Sequence, residues 1–432
     1  MCMPLMGSFP APRFPQVRPL RPTPKAVAGC SAEWRPAETI LMQPPDPLVL
    51  FLGTCTPPGA ALYEKRPDAQ KAVAQHGAFM ETLREEDIAV LTVESLLLDD
   101  RRALLDLARE RLTHDLSQLS EEQEALLAGD KGACLDAMAP HQLWQVVLLG
   151  IVATVRETGT NTGLAVDGYK IKPLLNLHFT RDQTVTTNDG VIICSMTDER
   201  AFETAVLKSA LARLGIRPIC EVGGKGRLEG GDVVMAGEGA FVGVGLRTNI
   251  EGVEQVMEAG GFASNGWVAM VNNPRTAQDE MHLDTFFNVI DENLVILRDP
   301  RLGERPTVDV YEQRKGEFVR ATEKADFAEF LAKKGFEIVA VSKSDQLDYG
   351  CNFLTLRPRV IAAVAGSMSP SYREALTGHG VTIIDVPFDH MTATYGGPHC
   401  TTQVLRRTGL PEFRPSHVGS DQVGSDSRSG TP

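Results

Sequence analysis

One pattern recurs along the chain and limits what it can fold into: an amphipathic helical stretch, a Gly or short polar break, then a short β-branched strand. It is read at 71–93, 203–222, 250–271, 325–341 and 371–386. Each copy follows another strand-like run, at 39–42, 190–194, 240–244, 294–297 and 360–364. Strand, helix, strand repeated five times predicts a circular α/β repeat whose copies keep element order while their residues diverge. An ordinary open α/β sheet alternates strands and helices too and stays the rival architecture. The rhythm breaks once, where 95–160 reads as a helical insertion between the first and second repeats. Leu104, Leu105, Leu107, Ala108 and Leu112 lie there at helical spacing, and 121–127 and 141–155 continue the pattern.

Composition narrows the class. With 432 residues, 43% hydrophobic and 23% charged, the chain is long enough for a large core. Its greasiest run, 143–155, falls short of the roughly 20 residues a membrane span needs and reads as a buried helix. Eight cysteines without a Cys-x-x-Cys pair argue against a disulfide framework or a zinc module and fit a reducing compartment. The formal charge of −13 disfavours nucleic acid or an anionic membrane as partner and weakly favours cationic ligands. Residues 1–32 hold no acidic side chain and carry Arg13, Arg18, Arg21 and Lys25 among prolines. They read as a disordered arm or an organellar targeting segment, so a cytoplasmic location is expected, with an organelle as the alternative. Residues 33–415 are expected to form the folded domain, and 416–432, rich in Ser, Gly and Asp, a disordered tail.

Four polar clusters fall at strand ends or loops. They are Asn176-Leu177-His178-Phe179-Thr180-Arg181-Asp182, Leu228-Glu229-Gly230-Gly231-Asp232, Met281-His282-Leu283-Asp284-Thr285 and Gly396-Gly397-Pro398-His399-Cys400-Thr401. Singly each is weak, since a Gly-Gly pair is often only a turn and a His-x-Asp pair often a satisfied surface feature. Together they supply a cysteine, a histidine and several carboxylates, a set suited to a guanidinium. That cation is planar, keeps its charge and offers forked N–H donors to carboxylates on both sides. A thiolate attacks its electron-poor carbon, and a histidine protonates departing ammonia and then activates water. A Zn²⁺ site built from Cys400, His282 and a carboxylate is the competing reading, though no metal-ligand spacing is recognisable.

In order and at these separations the four motifs closely resemble those of the arginine deiminases, members of the guanidino-group-modifying superfamily. The likeness spans about 34–406 and includes the helical insertion. It implies a five-bladed α/β propeller, the pentein fold, and hydrolysis of free L-arginine to citrulline and ammonia through a covalent thiouronium on cysteine. Carried over, it makes Cys400 the nucleophile, His282 the general acid and base, Asp182 and Asp284 the guanidinium-holding carboxylates, and Glu229 a support for the guanidinium and for His282. Asn176, Arg200 and Arg247 would meet the amino-acid end of the substrate. No metal or organic cofactor is implied, and a homo-oligomer is compatible. The rivals are an arginine dihydrolase giving ornithine, an agmatine deiminase, and a non-catalytic ribosome-associated protein of the same fold. Four positions depart from the family's usual pattern: Tyr395 and His399 stand where arginines fall, Thr401 replaces methionine, and Gln183 replaces a frequent proline.

Overall fold

The computed structural model describes residues 28–409, except 128, 160–161, 276 and 300–304. The first and most regular feature is how the five repeated helices stop. Helices Ala69–Glu85, Ala201–Arg213, Ile250–Glu258, Phe327–Lys333 and Pro370–Gly378 are each followed by a left-handed residue: Asp87, Gly215, Gly260, Gly335 and Gly380, with φ of 60–88°. After each, the same pair of backbone bonds closes the turn, for example Gly335 N to Ala332 O at 3.0 Å and Phe336 N to Leu331 O at 3.0 Å. This Schellman stop satisfies helix-end carbonyls and turns the chain sharply into the next strand. At the other end, Asp68, Asn249, Asp326 and Ser369 cap four of the five helices with side-chain oxygens. All five helix–strand copies expected from the sequence are present.

Strand pairing repeats as faithfully. In each copy a central strand pairs in parallel with the strand after its helix and antiparallel with another neighbour. The central strands are Ala37–Met42, Val191–Ile193, Gly239–Val244, Leu294–Arg298 and Val360–Val364. Their antiparallel partners are Gln403–Arg407, Thr184–Thr186, Val233–Ala236, Phe287–Asp291 and Leu354–Arg357. In four units the antiparallel strand comes just before the central one, whereas the first unit borrows its own from the far end of the chain. Buried apolar residues from both faces of these units fill the space under the helices, as where Phe241 packs edge-on against Trp267, Phe287 and Phe327.

Two sequence expectations need correction. The segment after Ser95 is not helical throughout, because Leu112–Gln118 and Ile151–Glu157 are parallel strands completed by Leu164–Ile171. Helix Pro140–Leu149 ends at Gly150, which adopts φ 58°, and the β-branched residues after it extend. Thus the run 143–155 is half helix and half strand. Nor do residues 28–32 belong to a loose arm: Gly29 bridges to Arg406, Ala32 bridges to Ala236, and Cys30 and Ala32 are buried. The expectations for 1–27 and for the tail 416–432 lie outside the described residues. Among the described residues no helix is long and apolar enough to cross a membrane.

Candidate active site

The polar clusters sit in one kind of place: the short segment leading into an antiparallel strand. Asp182 lies in the turn Thr180–Gln183 before Thr184–Thr186, and Glu229 precedes the 3-10 turn Gly230–Asp232 that enters Val233–Ala236. His282 and Asp284 flank the start of Leu283–Thr285 before Phe287–Asp291, and Cys400 lies three residues before Gln403–Arg407. The fold therefore brings together all five residues expected to be catalytic, each at most 5% exposed.

His282 is oriented by Glu229, whose Oε2 lies 2.8 Å from Nε2, leaving Nδ1 without a hydrogen-bond partner and 3.9 Å from Asp182 Oδ1. Burial opposes charge on this ring, but the bond to Glu229 and the negative charges of Asp182, Asp232 and Glu229 prevail and raise its pKa to about 10. An imidazolium results. Asp232 positions the same loop by accepting the Leu283 N–H at 2.8 Å and the Thr248 hydroxyl at 2.6 Å. On the other side, Asp284 accepts from His399 Nδ1 at 2.7 Å, and Cys400 Sγ lies 3.5 Å from the same carboxylate oxygen. Burial pushes the Cys400 thiol pKa well up, and the charges of Asp284 and Asp182 push it further. Asp182, Glu229 and Asp284 each keep one carboxylate oxygen with no hydrogen-bond partner. Three unpaired oxygens in a buried centre form a ready seat for a cation with several N–H donors.

Space around the sulfur is divided. Cys400 borders a cavity of about 290 Å³ lined also by Glu64, Asp348, Tyr349, Asn352 and Tyr395. It also borders a tight one of about 20 Å³ lined by Asn176, Asp182, Arg200, Arg247 and His282. The three residues expected to bind substrate thus share the smaller cavity with Asp182, His282 and Cys400. Arg200, however, already donates to Glu203 at 2.9 Å, Asp182 at 2.8 Å and the Asn176 carbonyl at 3.2 Å. It holds the Asp182 carboxylate in place. Arg247 is half-buried and donates from Nη2 to Gln278, and its Nε has no partner. Both glycines of the Gly-Gly pair are required by space: a Cβ on Gly230 would lie 1.9 Å from the Arg181 carbonyl, and one on Gly231 would lie 2.6 Å from His282 Nδ1.

Three of the residues that depart from the family pattern have definite places. His399 hydrogen-bonds the Asp284 carboxylate, Gln183 donates to Glu203 at 2.8 Å, and Tyr395 stands at φ 76° and lines both cavities. Sequence reasoning gave no role to Glu203, Thr248 or Asn352, of which only Thr248 adjoins a residue singled out beforehand. As for metal, donor atoms of Asp182, Glu229 and His282 lie within 4.8 Å of one another. This is a different set from the Cys400–His282 site weighed above, and its His282 Nε2 is engaged by Glu229.

The sequence model of the arginine deiminase family matches residues 60–407. The chain belongs to the arginine deiminase family. Among its relatives, the arginine deiminase of Halobacterium salinarum is 28% identical over an alignment covering 88% of this chain and 96% of that protein. That of Mycobacterium marinum is 26% identical, covering 81% and 91%. Solved structures of similar fold include a dimethylarginine dimethylaminohydrolase from Pseudomonas aeruginosa in complex with citrulline. Its TM-score is 0.51 at 16% identity, covering 85% of this chain and 98% of that one. Another is the N-terminal domain of a cyanobacterial arginine dihydrolase, with TM-score 0.53 at 14% identity, covering 85% and 97%. These neighbours place this arginine deiminase family member in the α/β pentein fold of the guanidino-modifying enzymes.

Proposed function

We propose that the protein hydrolyses free L-arginine to L-citrulline and ammonia, with the guanidinium seated between Asp182 and Asp284. The observation that carries this reading is the set of unpaired oxygens on Asp182, Glu229 and Asp284 around a cysteine and a protonated histidine. A bound guanidinium satisfies these oxygens and offsets the negative charges that raise the thiol pKa, favouring thiolate. Cys400 Sγ then bonds to the guanidinium carbon as the C=N electron pair moves to nitrogen. His282 gives its Nδ1 proton to the departing nitrogen, the C–N bond breaks, and ammonia leaves a thiouronium on Cys400. The now neutral His282 takes a proton from water as oxygen bonds to the carbon. Cleavage of the C–S bond returns the electron pair to sulfur as the C=O forms, and the remaining hydroxyl proton passes to solvent, where the released ammonia takes it up as ammonium. Glu229 keeps the imidazole's Nε2 anchored throughout.

Asn176, Arg200 and Arg247 are assigned to the amino-acid end of the substrate. Their shared cavity is too small for that end as it stands, so Arg247 and Gln278 must part to admit it. The test is incubation of the reduced protein with arginine and mass spectrometry of the product. Citrulline is expected, while ornithine would establish the dihydrolase reading and no turnover would remove the assignment. We further propose that the five units surround one axis as five blades, with 95–160 as an insertion outside them. The closing of the first unit by the last strand supports this, and a crystal structure without such an axis would overturn it.

A further inference from the structure

Four of the five units place an assigned catalytic residue just before their antiparallel strand. The fifth unit, with antiparallel strand Leu354–Arg357, puts Asn352 in that position. Its side chain is 2% exposed, and both ends of its amide face the nucleophile. Oδ1 accepts the backbone N–H of Gly397 at 3.1 Å and of Cys400 at 3.3 Å. Nδ2 lies 3.1 Å from Cys400 Sγ and 3.3 Å from the Asp284 carbonyl. Two backbone donors on one side fix which end of the amide is oxygen, so the NH₂ must face the sulfur. Asn352 is itself held by its N–H to the Tyr349 carbonyl at 3.0 Å, and Tyr349 sits at φ 69°.

We propose that Asn352 is a catalytic residue of the reaction above, its Nδ2–H bearing on the negative sulfur both before attack and when the C–S bond breaks. The carboxylates that seat a guanidinium oppose a thiolate beside them. A Lys or Arg donor here would stabilise the sulfur but would also pair with Asp284 and compete with the substrate for its oxygen. A neutral amide stabilises the sulfur without doing so. The hydrogen bond from Asn352 is accordingly one of the influences that lower the Cys400 pKa against its surroundings.

The inference rests on the deiminase reading for its chemistry, but its effect on the thiol can be measured without substrate. Asn352→Asp keeps an oxygen facing Gly397 and Cys400 while replacing the donor at sulfur with an acceptor, and Asn352→Ala removes both. The measurement is the pH dependence of iodoacetamide labelling at Cys400, read by peptide mass spectrometry, alongside thermal melting and kcat and KM on arginine. In Asn352→Asp the labelling midpoint should rise by about 1 unit or more, and kcat should fall on the order of 10²-fold with KM little changed. Asn352→Ala should show the same direction with a smaller rise. If Asn352→Asp does not fold, Asn352→Ser replaces it in the same measurement, its short hydroxyl predicting a raised midpoint. A folded variant with an unmoved labelling profile would overturn the proposal and leave Asn352 a purely structural residue. Loss of arginine as substrate would leave the labelling result standing, so the two failures are separable.

Discussion

Two buried charge networks lie a residue apart in this molecule and are built on opposite principles. Glu33 gives one oxygen to Arg181 and the other to Arg407, both at 3.0 Å, which ties the segment before Asp182 to the C-terminal strand. Next to it, Asp182, Glu229 and Asp284 each keep an oxygen unpaired. A carboxylate with both oxygens paired supports the fold, whereas one left half-paired holds unfavourable free energy that an arriving cation relieves. Adjacent residues Arg181 and Asp182 thus serve different ends.

The sharpest break of this contrast is chemical. Cys400→Ser should lower citrulline formation on the order of 10³-fold or more while the protein melts like its parent. Full activity in that variant would remove the nucleophile. Next in size, Glu33→Ala takes the paired carboxylate from two buried arginines and should cost about 3–5 kcal/mol in urea unfolding. Glu229→Gln, in the half-paired network, should cost clearly less stability. Equal losses in the two would erase the distinction drawn between the networks.

Proton linkage gives a third test. Burial alone would raise the pKa of Glu33, but Arg181 and Arg407 hold it down to about 2 from an ordinary 4.5. Because the folded value is the lower one, its stabilisation is full above about pH 4.5 and fades as pH falls toward 2. Glu33→Gln should flatten that acid limb in denaturation measured against pH. His282 runs the other way: its raised value means an imidazolium that persists to about pH 10, and its contribution is lost as pH rises through that value. In NMR of labelled histidine, Glu229→Gln should bring this titration down by about 1 unit or more. The smallest effect belongs to a pair in neither network. The exposed Arg84–Glu81 bridge at 2.5 Å should change stability by no more than about 0.5 kcal/mol in Glu81→Ala.

Much of this was legible in the residues because it depends on local rules. Glycines at 215, 260, 335 and 380 announced four helix stops, while Asp87 performs the same turn without a glycine to mark it. The insertion misled because Leu104, Leu107, Ala108 and Leu112 keep one helical stripe, although the chain turns extended at Leu112. Gly150 marked the second change from helix to strand and was there to be read. In the site, the clustered motifs contain the five residues to which the resemblance assigns catalysis, and the fold buries all five at the entries to antiparallel strands. Asn352 was invisible as a lone amide before an apolar strand, and only the repeated topology gives it meaning. Of the partners of Arg200, Glu203 lies only three residues on and was within reach of spacing, whereas Asp182 meets it only in space, which the chain does not disclose.

The Gly230-Gly231 pair has a consequence for tolerance to mutation. Neither residue adopts a left-handed φ, so any side chain is acceptable to the backbone and is refused only by what stands opposite. Opposite Gly230 is a main-chain carbonyl, which cannot step aside, and opposite Gly231 is the ring of His282. Alanine at the first position is therefore a lesion of folding. At the second it displaces the imidazole from within, an inhibitor encoded in the chain itself.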